Sequence, residues 1–524
     1  MKPNILFIIT DQERYDSLGC CGNPFAKTPN IDALAEQGTI FENCITASSI
    51  CQPSRASVLT GLHASVHGVW TNGVALPRAT DVKISESSKN AFPGKWVASN
   101  ITTFADIFKN AGYNTKAVGK LHFTPYASHP DSGFMECEKR WQENPEQMEK
   151  WHGPYYGFDD VNITTGHGEF IGGHYGLWLK KNHPDIWKKI RDDAKIRIPE
   201  FPECKMLYPS VIPKELHNSS WIGDVACEKI KENENSENPF LMWVGFPDPH
   251  SPFVPPKELA DEFKNSETLT PPLSAGNLKD RPEAFKNLAK KRDAENSNPK
   301  LFKRARQYTN AMMKLIDENV GKMIDTLKET GQWENTIVIF TSDHGDFLGD
   351  FGMHGKCVPC CKSLNHVPFI LKTPERILPE RVSKTISNVD ILPTICELAG
   401  LEIPKLVHGE SVISVEKYGR KFPVMVQHYT PKPERHNISI YDDRYRLTWY
   451  PQTNEFEFYD HKTDPFESTN IVDCRRPREC RGIQQPDLSA KSLVDKMLIE
   501  KMFNQLTKEQ TRTCLPRAGR VAVW

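Results

Sequence analysis

A cysteine and an arginine one helical turn apart are the residues of this sequence best suited to chemistry on an anion. Cys51 begins the stretch CQPSRASVLTG, in which Pro53 and Arg55 follow and Gly61 comes last. Proline near the start and glycine at the end predict a helix over 53–60. The free N–H groups at its start favour an anion beside Cys51. An isolated cysteine is more often a small buried apolar residue, but Arg55 argues against a merely apolar pocket.

Four predicted strands end in residues that could bind a metal ion or move a proton. The strands cover 4–10, 114–118, 240–246 and 336–341, with amphipathic helical stretches between them. Ligands of open α/β sheets bind beyond the carboxyl ends of the strands, so these endings predict one shared site. The residues concerned are Asp11 and Gln12, then Lys120 and His122, then Asp248 and His250, and finally Asp343 and His344.

The first and last of these strand endings together offer the ligands of a divalent metal ion. Asp11, Gln12, Asp343 and His344 supply two carboxylates, an amide oxygen and an imidazole. This mainly hard set suits Ca²⁺ or Mg²⁺, with Mn²⁺ possible. An aspartate after a strand is, taken singly, more often a turn former or a helix cap. The four residues taken together predict a metal site.

The elements that must position these residues predict an α/β fold with two parts. Helices predicted over 30–37, 303–329 and 389–398 alternate with the strands, which indicates a large mixed, mostly parallel sheet sandwiched by helices. From about residue 422, short strands with turn residues between them predict a smaller antiparallel sheet. We therefore predict a catalytic domain over 1–415, with an insertion over about 125–222 that shapes a substrate cleft. The C-terminal subdomain over 416–524 would carry the small sheet and a terminal helix or tail.

Composition limits the partners of the chain. In its 524 residues, 66 Lys and Arg balance 67 Asp and Glu, which argues against a nucleic-acid partner or a polybasic membrane surface. No apolar run approaches the roughly 20 residues that cross a bilayer, so we expect a soluble protein without a membrane partner. The first ten residues resemble a strand more than a leader. This predicts a cytoplasmic protein if the N-terminus is native, and a periplasmic or secreted one if a leader was trimmed.

Fourteen cysteines over this length do not make a disulfide framework. We expect most of them to be reduced and structural. Cys357, Cys360 and Cys361 lie close together, but no second CxxC accompanies them, so the pattern argues against a zinc site.

The stretch that begins at Cys51 resembles the signature of the formylglycine-dependent sulfatases, which belong to the alkaline phosphatase superfamily, and is most similar to that of bacterial polysaccharide sulfatases. Further similar motifs are G-K-L-H from Gly119, P-H-S-P-F from Pro249, T-S-D-H-G-D from Thr341 and H-G-K from His354. The resemblance implies that a separate maturing enzyme, either the formylglycine-generating or the anaerobic kind, oxidises Cys51 to formylglycine. It also implies that the hydrate of this aldehyde is the nucleophile.

The resemblance assigns a role to each residue of the predicted site. Position 51 would share a Ca²⁺ ion, or Mg²⁺ or Mn²⁺, with the four metal residues above. Arg55 would hold the nucleophile, His250 would be the general acid for the leaving alcohol, and His122 would take the proton that lets sulfate leave. The sulfate oxygens would be bound by Lys120, Lys356 and Asn72.

We expect a sulfated carbohydrate as the substrate, because aromatic residues in the insertion could stack on sugar faces, although they could equally form core. They are Trp141, Trp151, Tyr155, Tyr156, His174, Tyr175 and Trp178. Two alternatives stay open. Gln12 and His344 are compatible with a phosphonate monoester hydrolase or phosphodiesterase that uses the same apparatus. A catalytically silent glycan-binding protein with unmodified Cys51 is an alternative from another class.

Overall fold

The computed structural model describes residues 2–78, 101–192, 198–356, 359–472 and 493–514. Its main element is a nine-stranded mixed sheet in the order β4-β3-β5-β1-β6-β8-β2-β7, with β9 beside β2. The five strands from β4 to β6 are all parallel, whereas β8 runs antiparallel to β6 and β2. The strands are β1 Asn4–Thr10, β2 Thr39–Ile45, β3 Asn114–Lys120, β4 Asp160–Thr164, β5 Phe240–Gly245, β6 Thr336–Ser342, β7 His366–Val367, β8 Phe369–Lys372 and β9 Arg381–Ser387.

Helices cover both faces of this sheet. Because side chains alternate along a strand, Ile5 and Phe7 of β1 enter one core while Leu6 and Ile8 enter the other. Helices α2, α4 and α14 pack on the first face, and α1, α9 and α12 on the second. The described helices are α1 Pro29–Gln37, α2 Cys51–Thr60, α3 Ala64–His67, α4 Phe104–Asn110, α5 Glu138–Glu143, α6 Pro145–Glu149, α7 Gly173–Asn182, α8 Pro184–Asp192, α9 Asn218–Lys231, α10 Lys257–Glu262, α11 Glu283–Lys291, α12 Pro299–Glu329, α13 Lys362–Asn365, α14 Ile391–Leu398, α15 Val412–Tyr418 and α16 Leu493–Cys514.

A separate antiparallel sheet follows, as the sequence predicted. Its strands β10 Val424–His428, β11 Asn437–Tyr441, β12 Tyr445–Tyr450 and β13 Glu455–Asp460 pair in chain order. Helix α16 buries Ile499 and Met502 against this sheet. Strand β10 also approaches the segment before Cys51, where the backbone N–H of Ser49 donates to Nε2 of His428 over 2.8 Å. The predicted fold class is confirmed, while the domain boundaries near residue 415 stay a prediction.

The segment over 125–222 contributes to the main sheet and its cores. Strand β4 lies in this segment and extends the sheet beside β3. Five of the seven residues proposed to stack on sugars are buried, and each has a polar atom hydrogen-bonded within the protein: Trp141, Tyr155, Tyr156, His174 and Tyr175. The sugar-stacking alternative is therefore wrong for these five, because they form core, and it stays a prediction for the half-buried Trp151 and Trp178. The proposed role of the segment in shaping a cleft stays a prediction.

In the part of the chain that the structure describes, no helix is both long and apolar enough to cross a membrane. The predicted compartment stays a prediction. Among the described cysteines, Cys360 and Cys361 are buried free thiols. The Sγ of Cys360 lies 3.2 Å from the Tyr441 hydroxyl, and neither thiol belongs to a group of possible metal ligands among the described residues. Cys357 lies outside the described residues.

Candidate active site

The carboxyl ends of neighbouring parallel strands bring the predicted site together. Strands β3, β5, β1 and β6 lie side by side in the sheet, so Lys120, Asp11 and Asp343 emerge at the same edge. Helix α2 begins with Cys51 at this edge, and all ten residues of the helix are buried. Gly61 ends the helix in the left-handed conformation, with φ of 65°. The predicted position of Cys51 at a helix N-terminus is confirmed.

Four ligand atoms form a buried group that could hold a cation. The possible ligand atoms of Asp11, Cys51, Asp343 and His344 all lie within 4.8 Å of one another. Nε2 of His344 is 3.3 Å from Sγ of Cys51 and 3.6 Å from Oδ1 of Asp11. Ligands that each lie about 2.4 Å from a shared ion are roughly 3.4 Å apart when they meet at right angles. The spacing and the two carboxylates therefore fit a divalent metal ion.

Gln12 contacts this group from the side. Its backbone, which has a left-handed φ of 65°, donates from N–H to Oδ1 of Asp343 over 3.0 Å. Its side-chain Nε2 donates to Asp346, which leaves Oε1 as the atom that could bind a cation. Oδ1 of Asp346 also accepts from the N–H of Gly355 over 2.8 Å. Asp346 thus connects Gln12 to the loop that carries Lys356, while the metal-binding role of Gln12 stays a prediction.

Arg55 joins three strand ends beneath the metal ligands. Its guanidinium is fully buried and donates from Nε to Oδ2 of Asp343 over 2.7 Å. It also donates to the carbonyl oxygens of Lys120 over 3.0 Å and Thr10 over 3.3 Å. A second carboxylate oxygen, Oδ2 of Asp11, lies 3.6 Å from the NH2 atom of Arg55. Arg55 therefore compensates both carboxylates and fixes the strand ends relative to one another.

Two lysines contact the group. The fully buried Lys120 pairs with Asp11, and its Nζ is 3.1 Å from Nε2 of His167. Nζ of Lys356 contacts Sγ of Cys51 and lies 2.9 Å from Nε2 of His250. With Arg55, three cations therefore surround two carboxylates, an excess of positive charge that suits an anionic substrate.

The two predicted proton carriers lie at the edge of this group and are held in the neutral form. Burial and then the charge of Lys120 lower the pKa of His122 well below its usual value. Burial and then the stacked His167 do the same for the pKa of His250. The rings of His167 and His250 are stacked with their centres 3.8 Å apart.

The charges around Cys51 and Asp11 favour their ionised forms. Burial raises the pKa of the Cys51 thiol and Asp11 raises it further, but Lys356, Lys120 and His344 together hold it below its usual value. Burial also raises the pKa of Asp11, and the opposing charges of Lys120, His250, Lys356 and Arg55 bring it well below the ordinary range. The unprotonated forms of the Asp11 carboxyl and the Cys51 thiol are thereby both favoured in the same pocket.

Asn72 lies beside the N-terminus of α2. Its Oδ1 accepts from the backbone N–H of Gln52 over 3.1 Å, and its side chain is exposed. Because that bond uses the amide oxygen, Nδ2 is the atom available to an anion. Its contact with sulfate stays a prediction.

Two residues of the site were not predicted from the sequence. His167 follows β4, which lies in a segment without a clear strand pattern in the sequence, although its ending obeys the same rule as the other parallel strands. The buried Glu136 accepts from the backbone N–H groups of Phe123 over 2.8 Å and Thr124 over 3.1 Å, and from that of His122. It thereby holds His122, whose φ of 61° is unusual for a residue with a side chain. No spacing in the sequence indicates that contact.

Comparisons with known proteins agree with this geometry. A family model described as sulfatase matches residues 3–401, and one described as the C-terminal part of N-sulphoglucosamine sulphohydrolase matches residues 349–489. An arylsulfatase of Clostridium perfringens is 28% identical, with 91% of this chain and 92% of the relative covered. An N-acetylglucosamine-6-O-sulfatase of Bacteroides thetaiotaomicron is 25% identical, with 90% and 82% covered.

Among solved structures, the phosphonate monoester hydrolase of Silicibacter pomeroyi has a TM-score of 0.73 at 20% sequence identity. The alignment covers 98% of this chain and 96% of that chain. At this identity the likeness shows a shared fold. It therefore agrees with the mixed sheet and its helices described above.

Proposed function

Because the chain belongs to the sulfatase family and is a sulfuric ester hydrolase, we propose that it removes sulfate from a sulfated carbohydrate with a formylglycine formed from Cys51. The observation that carries the proposal is the position of Sγ of Cys51, 3.3 Å from His344 Nε2 and 3.6 Å from Asp11 Oδ1. A buried thiol with no catalytic role is usually packed among apolar side chains. Cys51 is instead surrounded by two possible metal ligands and a lysine. The name of the relative from Bacteroides thetaiotaomicron supports a carbohydrate substrate.

Different groups in the pocket would have different functions in ester hydrolysis. A divalent cation held by Asp11, Asp343 and His344, Ca²⁺ by the hardness of the carboxylates, would offset the negative charge of the sulfate oxygens. Formylglycine, as its hydrate, would supply one hydroxyl to attack sulfur and a second whose deprotonation releases sulfate.

The lysines and histidines then bind the anion and move the protons. Lys120 and Lys356 bind the sulfate oxygens together with Asn72, and Arg55 keeps the carboxylates beneath them in place. His250 donates a proton to the leaving alcohol, since the bound sulfate ester brings a negative charge that favours its protonated form. His122, neutral because of its lowered pKa, accepts the proton whose removal lets sulfate leave. A maturing enzyme is the expected protein partner.

One rival function uses the same apparatus on phosphorus. Gln12 and His344 are compatible with phosphonate monoester or phosphodiester hydrolysis, and the structural likeness to a phosphonate monoester hydrolase agrees with it. Lys120 and His122 argue against this function, because they fit the step in which sulfate leaves the formylglycine hydrate.

A direct assay separates these functions. We expect purified, matured protein to hydrolyse members of a panel of sulfated mono- and oligosaccharides and an aryl sulfate. An aryl phosphonate monoester offered under identical conditions should give a kcat/KM lower by about a hundredfold or more, a difference of about 3 kcal/mol in transition-state stabilisation. Faster hydrolysis of the phosphonate would reverse the assignment. Binding of the sulfated sugars without any hydrolysis, by protein whose intact mass shows unmodified Cys51, would support the glycan-binding alternative.

Replacing Glu136 tests the proposed step of His122. In Glu136→Gln the side-chain amide would turn an N–H group toward backbone N–H donors, and the loss of buried hydrogen bonds of this kind costs about 1–3 kcal/mol. We expect kcat to fall by about tenfold or more with a smaller change in KM. Stopped-flow measurement should show a fast burst of alcohol followed by slow turnover, because sulfate release is the step delayed.

The matched control is Tyr155→Phe, which removes the 3.0 Å bond from the Tyr155 hydroxyl to Glu136 and its 3.1 Å contact with the Thr124 hydroxyl, but leaves the backbone N–H bonds from the His122 loop to Glu136. It should retain most of the rate and show no new burst. If both variants lose kcat equally and neither shows a burst, Glu136 acts through packing and not through His122.

A further inference from the structure

A cavity of about 410 Å³ opens beside the candidate active site. Three of its lining residues belong to the site already described, namely Gln12, His250 and Lys356. Others have no role in the steps above and include Met206, Arg292 and His354. The volume lies within the range of about 300–1,000 Å³ that is usual for small-ligand sites. The cavity therefore begins beside Lys356, which contacts Cys51, and extends to side chains that sulfate removal does not use.

The lining of this cavity is basic. None of its lining residues is acidic, and Lys356 and Arg292 contribute two cations. Two carboxylates accept hydrogen bonds from the lining but are themselves buried: Asp346 accepts from Gln12 and Gly355, and Asp343 accepts from the N–H of Gln12. A ligand with negative charge beyond the sulfate ester would therefore meet attraction along the wall, whereas an alcohol with a quaternary ammonium group would be repelled.

Arg292 is held in place without a carboxylate partner among the described residues. It follows helix α11 and is partly buried, and its NH2 donates to the carbonyl oxygen of Lys356 over 2.8 Å. Its NH1 donates to the carbonyl oxygen of His354, and its guanidinium lies 5.8 Å from the ring centre of Phe347. Each terminal nitrogen carries a second hydrogen, and Nε carries one more. The group is thus pre-ordered, with donors left for an anion.

We propose that this cavity receives the alcohol part of the substrate, and that Arg292 selects alcohols that carry a second anionic group, a carboxylate or another sulfate. The inference rests on the proposed function, since the alcohol must extend away from the sulfate bound near Cys51. Lys356 links the two ends: its ammonium contacts Cys51 and its carbonyl oxygen holds Arg292. The second anion would form charge-assisted hydrogen bonds to the guanidinium.

The test compares two aryl sulfates that differ by one carboxylate on the ring. We expect wild-type enzyme to prefer the carboxylated ester in kcat/KM by about ten- to a hundredfold, the range that charged hydrogen bonds give. In Arg292→Gln this preference, the ratio of the two kcat/KM values, should fall by about tenfold or more. The fall is expected even if the kcat/KM values of both esters also change by a common factor. Arg292→Lys, which keeps the charge but not the planar fork, should fall in between.

The control is Lys290→Gln, which removes an exposed positive charge from helix α11, just before Arg292, and should leave the preference unchanged. An equal loss with both esters would show that Arg292 only supports the Lys356 loop and would overturn the proposal. The proposal would also be overturned if the wild-type enzyme showed no preference for the carboxylated ester.

Calorimetric binding of the two esters to Cys51→Ala, with and without Arg292→Gln, repeats the comparison without turnover. A preference in binding that disappears with Arg292→Gln would support the inference even if no sulfate ester were hydrolysed. A failure of the proposed function is thereby distinguished from a failure of this inference.

Discussion

Replacing Cys51 by serine is expected to stop sustained turnover and to leave sulfate on the enzyme after one slow event at most. A serine hydroxyl can attack sulfur, but it has no second hydroxyl from which His122 could remove a proton. The sulfate then stays attached to the side chain. Intact-protein mass spectrometry after incubation with an aryl sulfate should show a gain equal to one SO₃ group, and product release should not exceed one equivalent.

Two controls accompany this variant. Cys51→Ala should lose all chemistry and still fold, because it removes one small buried atom group from a helix whose other residues keep their packing. Matured wild-type protein should be about 18 Da lighter than the sequence predicts, since SH and H are replaced by O. Multiple turnovers by Cys51→Ser would falsify the proposed exit of sulfate. A wild-type protein of unchanged mass would show that Cys51 had not been matured.

The positions of the main site residues were predictable because parallel strands share an edge. Strands β1, β3 and β6 were recognised from short β-branched runs, and the residues after them had to meet once the strands were neighbours in one sheet. The helix signals were equally local. Pro53 and Gly61 mark the two ends of α2 in the sequence, although the helix begins two residues before that proline. The contact between Cys51 and the Asp11 carboxylate follows from these two facts together.

Other features depended on tertiary packing that no local pattern encodes. Aromatic side chains such as Tyr155 and Tyr156 are typical of a sugar-binding surface. These two are buried because β4 places their segment against the main core. His167 reaches the site for the same reason, by following that unrecognised strand. Glu136 holds the His122 loop across 14 residues of sequence. Burial decides the role of such residues, and composition alone does not reveal it.

Replacing Asp343 is expected to remove both the activity and much of the stability. Its two oxygens serve different partners: Oδ2 accepts from Arg55 over 2.7 Å, and Oδ1 accepts from the Gln12 N–H over 3.0 Å. In Asp343→Ala the fully buried Arg55 would lose its nearest counter-charge, and breaking a buried ion pair from one side costs about 3–5 kcal/mol. The candidate metal site would also lose a carboxylate. We expect kcat/KM to fall by about a thousandfold or more, equivalent to roughly 4 kcal/mol.

A distant buried aspartate provides the control for this prediction. Asp317 is 1% exposed and accepts from the Ile31 N–H and from Asn30, each over 2.8 Å, and no cation among the described residues forms an ion pair with it. Asp317→Ala should lower the thermal unfolding temperature and leave the kcat/KM of the folded enzyme unchanged. Calorimetric titration with Ca²⁺ should show binding to Asp317→Ala and none to Asp343→Ala. Metal-dependent activity of Asp343→Ala within tenfold of the wild type would contradict the assignment, because a site that keeps its cation without this carboxylate is not built around it.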